Sequence, residues 1–172
     1  EFRRVLFRSH SILEKFGSGE SQLSLPWYKQ SHPVPCLENE KAKVLLDIPW
    51  HLENCPRNGA NKPDISVLDK VNKEWFIIAG TVCLPGTMPA RTMFKRDKYA
   101  DLRIGVKSLY SGHKVSSIEV IFDFLAAYST HLENELTKIL QDKKVISKTT
   151  EKLQKWIISQ NCEIVKRFAS FF

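Results

Sequence analysis

Long apolar runs and paired cysteines are both missing from this chain of 172 residues. No apolar run approaches the roughly 18 residues that a membrane-spanning helix needs, so the sequence predicts no transmembrane segment. Charge at the N-terminus is not followed by a long apolar segment, and we therefore expect an intracellular protein without a signal peptide. The four cysteines form no CxxC pair. This spacing excludes a zinc knuckle or a recognisable disulfide framework and favours a reducing compartment.

The composition that is present supports a folded domain. Hydrophobic residues make up 42% and charged residues 26%, enough to bury a core, and the length fits one domain or one domain with a tail. Lysine and arginine number 26 against 19 acidic residues, for a net charge of +7. Such a balance is compatible with nucleic acid, but charge alone is weak evidence for it.

Residues 1–9 (EFRRVLFRS) look like sequencing-adapter sequence translated as protein, since CTC TTC CGA TCT encodes residues 6–9. We expect this segment to be non-native and exclude it from fold prediction; a genuine basic N-terminal arm is the alternative. The segment holds three arginines and one glutamate, a net +2, which leaves +5 of the +7 for the rest. Genomic sequence at the locus distinguishes the two interpretations.

Hydrophobic periodicity predicts an α/β fold. The predicted elements are a helix over 11–16, an extended segment over 26–35, strands over 43–48, 64–69, 75–82 and 117–122, and helices over 92–110, 125–140 and 153–168. The strands over 64–69 and 75–82 should form an antiparallel hairpin. The helix that follows them should act as a crossover and make the last strand parallel to a neighbour. Asp123 falls at the start of a predicted helix, as an N-terminal cap or dipole partner.

Two carboxylates and two lysines form the constellation with chemical content. Asp64 opens one predicted strand, and Asp47 lies near the end of the strand before it. Lys95 continues the helix face that should pack on the sheet, because it lies four residues before Tyr99, and Lys98 flanks that face. Phosphodiester cleavage uses carboxylates to hold Mg²⁺ and a lysine to orient water or neutralise phosphate. Carboxylates at strand ends and solvated lysines are also common for purely structural reasons.

The chain resembles the C-terminal restriction-like endonuclease domain of non-LTR retrotransposon polyproteins, a member of the PD-(D/E)xK nucleases. Residues 62–70 (KPDISVLDK) are close to the family's RPDIVVxDK strand, and residues 95–102 (KRDKYADL) match its KxxKYxDL helix. Residues 27–47, 117–139 and 153–168 are similar to the family's lead-in, its fourth strand with the next helix, and its terminal helix. The resemblance covers residues 10–172 and has its motifs in the family's order.

This resemblance implies a restriction-endonuclease-like αβββαβ core with a mixed sheet and additional C-terminal helices. The endonuclease-like core would span 10–140, and a C-terminal helical extension would span 141–172. The implied activity is nicking of DNA with Mg²⁺ or Mn²⁺ as cofactor. The implied partners are DNA and the upstream reverse transcriptase domain of the same polyprotein, in the nucleus, with no membrane.

Carried over by position, Asp64 becomes the metal-binding aspartate of the PD motif, and Asp47 becomes an acidic residue of the first strand. Both would be metal ligands and catalytic residues. Lys95 and Lys98 become the basic pair of the site, and Lys62, Lys95 and Lys98 the candidate DNA contacts.

One position departs from the family's pattern, and the departure leaves enzymatic activity open. The family has a second acid in a segment like IIDIAVP, where this chain has IIAGTVCLP over 77–85. Direct counting puts Ala79 at the acid position, and alignment on Pro85 puts Thr81 there, with a bulge at Gly80 able to re-aim Thr81. Neither side chain is a carboxylate, so we expect weakened metal binding and impaired catalysis.

Three hypotheses follow from that departure. The domain is an active nuclease in which another acid, such as Glu74 or Asp69, replaces the missing one; or it is a non-catalytic DNA-binding module; or it is the product of a pseudogene.

Overall fold

The computed structural model describes residues 36–52 and 60–169. Its strands are β1 (Cys36–Glu38), β2 (Ala42–Leu46), β3 (Ile65–Asp69), β4 (Glu74–Cys83) and β5 (Lys114–Asp123). Its helices are α1 (Met88–Lys98), α2 (Ala100–Leu109), α3 (Thr130–Leu140) and α4 (Lys143–Ala169). The predictions for 1–9, 11–16 and 26–35 lie outside the described residues.

The five strands form one mixed sheet in the order β1-β2-β3-β4-β5. Strands β1 to β4 pair antiparallel, and β4 and β5 pair parallel. The predicted hairpin is therefore confirmed, with Asp69 opposite Glu74 at its turn. The predicted parallel pairing is confirmed as well: the α1–α2 connection carries the chain from the end of β4 back to the end of the sheet where β4 begins, and β5 starts there beside Glu74.

Helices cover both faces of the sheet, and this explains why β4 is almost continuously apolar. One face packs against α3 and α4, and its core includes Val67, Ile78, Phe122, Leu136 and Leu153. The other face packs against the α1–α2 layer, and its core includes Trp50, Trp75, Ile77, Ala79, Tyr99, Leu102 and Val106. Because successive residues of β4 face opposite layers, Ala79 lies on the α1–α2 face.

The helix predicted over 92–110 is interrupted in the structure at Tyr99. This residue has φ −103° and ψ 13°, which ends α1 and starts α2. Its ring is buried, and its hydroxyl donates a hydrogen bond to the carbonyl oxygen of Lys62 at 3.2 Å. The tertiary contact thus overrides the helical periodicity that runs through this position.

The helix predicted from residue 125 begins only at Thr130. Ala126 has φ +64°, a left-handed conformation that no helix interior accommodates. Asp123 is the last residue of β5, and its Oδ1 accepts a hydrogen bond from the Ala127 N–H at 2.8 Å. The prediction that Asp123 caps a helix is therefore wrong, since its carboxylate closes the turn after the strand.

The last helix is longer than predicted. It begins at Lys143 rather than near Leu153, two residues after Gln141, which caps the end of α3 with φ +57°. Ile146 and Leu153 of α4 lie in the same core as the sheet. The division predicted at residue 140, between an endonuclease-like core and a C-terminal extension, stays a prediction. None of the helices within the described ranges is both long and apolar enough to cross a membrane.

Glu38 on the edge strand β1 gives a pH-dependent contribution to stability. It forms ion pairs with Lys70 at 2.8 Å and Lys43 at 3.1 Å. The hydrogen bond from Lys70, followed by the one from Lys43, lowers the pKa of Glu38 from the ordinary 4.5. A lowered folded-state pKa stabilises the fold above the unfolded pKa, and the effect is lost as pH falls through the folded value. Glu38→Gln should lower the thermal midpoint slightly at neutral pH, and the difference should shrink as pH falls below 4.5 and vanish once pH is below the lowered pKa of Glu38.

The matched control for this prediction is Glu40→Gln, an exposed acidic neighbour. Equal midpoint shifts in both variants at neutral pH, or a Glu38→Gln shift that persists in acid, would contradict the assignment.

Candidate functional site

Of the predicted site residues, Asp47, Lys62 and Asp64 lie together at one edge of the sheet. This edge is formed by the end of β2, the start of β3 and the second half of β4, because these strands alternate in direction. It is also the carboxyl end of the parallel pair β4 and β5, the end where open α/β sheets usually bind ligands. The loop from β4 to α1 begins at the same edge.

Asp64 is the most buried residue of the site, with 1% of its surface exposed. It directly precedes β3, and its Oδ2 accepts a hydrogen bond from the backbone N–H of Gly80 at 2.7 Å. This bond lies where the regular β3–β4 ladder has ended, so the carboxylate satisfies a backbone donor of the neighbouring strand. The local structure thus fixes the carboxylate at the sheet edge.

Asp47 is joined to Asp64 through the backbone and to Lys62 through its side chain. Its N–H donates to the Asp64 carbonyl oxygen at 3.0 Å, and its Oδ2 lies 3.0 Å from Lys62 Nζ. A φ of +53° at Asp47 departs from the extended geometry of β2. Its side chain is 36% exposed, so Asp47 and Lys62 form a solvated ion pair beside the buried Asp64.

The position directly across from Asp64 holds an alanine. The last pair of the β3–β4 ladder is Ile65 with Ile78, and one position further along sets Asp64 opposite Ala79. Ala79 is 2% exposed and faces the α1–α2 layer. Of the two candidate positions for the second acid, Ala79 is therefore the one adjacent to Asp64, and its methyl group offers no metal ligand.

No bulge re-aims Thr81 toward this place. The β4–β5 ladder is continuous from Glu74 to Cys83, with Gly80 paired to Val120 and Thr81 to Ile121. Thr81 therefore faces the same layer as Ala79, two residues nearer the end of the strand.

The two predicted lysines lie on α1, above this face. Lys95 is half-buried, and Lys98 is exposed with its Nζ 5.4 Å from the centre of the Tyr99 ring. The Tyr99 hydroxyl in turn bonds to the Lys62 carbonyl oxygen. These contacts connect the end of α1 to the residues just before Asp64, and so bring the lysine helix to the carboxylate edge.

A buried carboxylate that the sequence analysis did not single out lies next to Ala79. Glu119 on β5 pairs with Ala79 in the ladder, and its side chain is only 3% exposed. Its Oε2 is 3.3 Å from the guanidinium of Arg96 on α1, which is 47% exposed. An acid inside the apolar segment SIEVIF was the available signal, because buried acids are rare unless paired.

The two acids proposed as replacements lie at the other end of the hairpin. Asp69 and Glu74 pair with each other beside the turn, about 17 Å along β3 from Asp64 at 3.4 Å per residue. Asp69 accepts hydrogen bonds from the N–H groups of Val71 and Asn72, and Glu74 forms an ion pair with Lys114. The Asp69 carboxylate therefore stabilises the turn, and the Glu74 carboxylate pairs with the first residue of β5.

The donor set of the site does not fit a catalytic magnesium ion. Within the described residues, no group of three or more His, Cys, Asp or Glu side chains is arranged to hold a metal. Asp64 and Glu119 are buried on the two sides of Ala79, but Glu119 is paired with Arg96 and Asp47 with Lys62, and Ala79 itself offers no oxygen. Mg²⁺ prefers oxygen ligands in near-octahedral geometry, and these residues do not provide them in the native chain.

Comparisons with known proteins provide no family assignment: no protein-family model matches the chain, and no curated protein matches it.

Proposed function

We propose that this chain is the endonuclease-like domain of a non-LTR retrotransposon polyprotein, and that it binds DNA but cleaves it poorly or not at all. The restriction-endonuclease-like core, the DNA partner, the upstream reverse transcriptase and the nuclear location all belong to this proposal. It has support from the five-stranded mixed sheet with helices on both faces and from the motif order along the chain.

The observation that carries the proposal is the pair Asp64 and Ala79. An aspartate in a Pro-Asp segment stands at the sheet edge, and the position directly across from it holds a methyl group in place of a carboxylate. Hydrolysis of a phosphodiester with Mg²⁺ depends on the metal to generate hydroxide and neutralise developing charge. A site with one carboxylate fewer binds that metal more weakly, whereas binding of DNA phosphates by lysines needs no metal.

Binding of DNA is favoured by the charge of α1. This helix carries Arg91, Lys95, Arg96 and Lys98 against one acid, Asp97. Lys62 adds a further positive charge at the same edge, although Asp47 partly offsets it. Such a concentration of positive charge attracts the phosphate backbone regardless of sequence.

Substitution of the basic residues tests DNA binding. Lys95→Gln and Lys98→Gln should each weaken binding to a random-sequence duplex and reduce the slope of log K against log[salt] by about 1. The physical reason is that each lost phosphate contact removes about one released counterion. Fluorescence anisotropy with a labelled oligonucleotide at four salt concentrations measures both quantities.

The matched control is Lys152→Gln on α4, an exposed lysine in the helix layer on the opposite face of the sheet. If Lys152→Gln lowers the slope as much as Lys98→Gln does, the binding is a diffuse effect of net charge, and the proposed interface is wrong.

A further inference from the structure

Helix α1, the first helix of the crossover from β4 to β5, is largely exposed. None of its eleven residues, all of which lie in the described part of the chain, is buried. The helix is held to the sheet by the half-buried Lys95, by the ion pair from Arg96 to Glu119, and by Tyr99 at its end. Most of its surface is therefore available to a partner.

The basic side chains of α1 are divided between two flanks. Since Arg96 reaches Glu119, its flank lies toward β5. At 100° per residue, Arg91 and Lys98 project roughly 140° and 160° around the axis from Arg96. They therefore lie on the opposite flank of the helix, where Lys98 lies over the ring of Tyr99, whose hydroxyl bonds to Lys62 near Asp64.

Phe94 borders that flank and is exposed. Its position lies between Arg91 and Lys98 along the axis, within roughly 60° of both around it. Phe94 is 55% exposed, although a phenylalanine stabilises a fold mainly when it is buried. Asp97 lies farther around the helix, on the other side of Phe94 from Arg91, and a phosphate backbone would be repelled there.

We propose that this surface of α1, formed by Arg91, Phe94 and Lys98, binds single-stranded DNA, with the two cations on phosphates and the Phe94 ring stacked on an unpaired base. The proposal rests on the proposed function, since it places the nucleic acid at the same edge as Asp64, and it adds which state of the DNA the site accepts. A basic track beside an aromatic ring is the arrangement that sequence-tolerant single-strand binding uses.

The preference for single-stranded DNA follows from which groups a duplex leaves accessible. In duplex DNA each base is paired and stacked, so its face is closed to an exposed ring, whereas its phosphates remain open to Arg91 and Lys98. A single strand offers both groups. Phe94 therefore contributes to binding of a single strand and little to binding of a duplex, while the cations contribute to both.

The experiment compares the full 172-residue chain with Phe94→Ala, Phe94→Tyr and Met93→Ala on a labelled dT oligonucleotide and on a duplex of equal length at fixed salt, without divalent metal. Phe94→Ala should weaken single-strand binding about tenfold and duplex binding by about twofold or less. Phe94→Tyr should retain single-strand binding, because its ring still stacks. Met93, 66% exposed on the same helix, provides the matched apolar control, and Met93→Ala should leave both affinities unchanged.

Three outcomes would overturn the proposal. Equal losses for Phe94→Ala on both substrates would mean that the ring has no role in reading the strand state. Loss for Met93→Ala as large as for Phe94→Ala would mean a general apolar patch. Concentration-dependent self-association that Phe94→Ala abolishes, with oligonucleotide affinity unchanged, would assign the surface to a protein partner. Because the assay contains no metal and measures no cleavage, its result is independent of whether the site at Ala79 can be restored.

Discussion

Replacing Ala79 with aspartate is expected to produce Mg²⁺-dependent nicking of supercoiled plasmid DNA, at a rate on the order of 10²-fold above the native chain. The new carboxylate would stand directly across from Asp64, where the β3–β4 ladder brings position 79. A metal ion held there stabilises transition-state charge by several kcal/mol, and each 1.36 kcal/mol changes the rate tenfold. Agarose-gel conversion of supercoiled to open-circular plasmid measures the rate.

The same substitution should make stability depend on Mg²⁺. Position 79 is 2% exposed, so a carboxylate there is desolvated and lies beside the carboxylate of Asp64. Ala79→Asp should therefore lower the thermal midpoint without metal, and Mg²⁺ should raise the midpoint again. At a Mg²⁺ concentration 100 times Kd, binding adds about 2.7 kcal/mol to the free energy of unfolding. The native chain should show a much smaller response.

Two controls separate metal chemistry from disturbance of the fold. Ala79→Asn has nearly the size of aspartate without its charge and should not nick. Ala79→Asp combined with Asp64→Ala should lose the activity gained. Nicking by the native chain that Asp64→Ala abolishes would contradict the proposal, because the site would then be active without a carboxylate at position 79.

Local patterns predicted the sheet well because its central strands are nearly uniform in character. The alternating pattern of β3 and the apolar run of β4 each predict a strand, and the short turn between them predicts a hairpin. The apolar run is long because helices cover both faces of the sheet. The breaks in helices were not predictable in this way. Ala126 takes a left-handed conformation because it is buried and its carbonyl accepts a hydrogen bond from Gln154 on α4 at 2.9 Å. That contact spans 28 residues of sequence, beyond any local signal.

Site residues that belong to a sequence motif could be predicted. Residues that reach the site only through the register of strand pairing could not. The Pro-Asp pair singles out Asp64, and the structure brings it close to Asp47 and Lys62, as the strand order implies. The neighbourhood of Ala79 depends on which residues of β3 and β5 stand beside it. Without the β4–β5 pairing, Glu119 is merely an acid in a strand, and the sequence cannot show that it borders Ala79.

The ion pair between Arg96 and Glu119 should be strongly asymmetric in its contribution to stability. Arg96→Ala leaves a carboxylate that is 3% exposed without its cation, and we expect a loss of about 1–3 kcal/mol. Glu119→Gln leaves a guanidinium that is 47% exposed and can turn to water, so its loss should be below about 1 kcal/mol. Urea denaturation monitored by tryptophan fluorescence measures both.

The double variant Arg96→Ala/Glu119→Gln tests the cause of that asymmetry. If the loss in Arg96→Ala arises from an uncompensated buried charge, removing the charge should recover most of it. If the loss arises from the missing packing of the Arg96 stem, the double variant should remain as unstable as Arg96→Ala. Recovery would mean that the buried Glu119 carboxylate destabilises the fold unless a cation lies beside it. Since Arg96 of α1 supplies that cation and Glu119 pairs with Ala79, the ion pair would then hold α1 over the sheet next to the position where the family resemblance expects an acid.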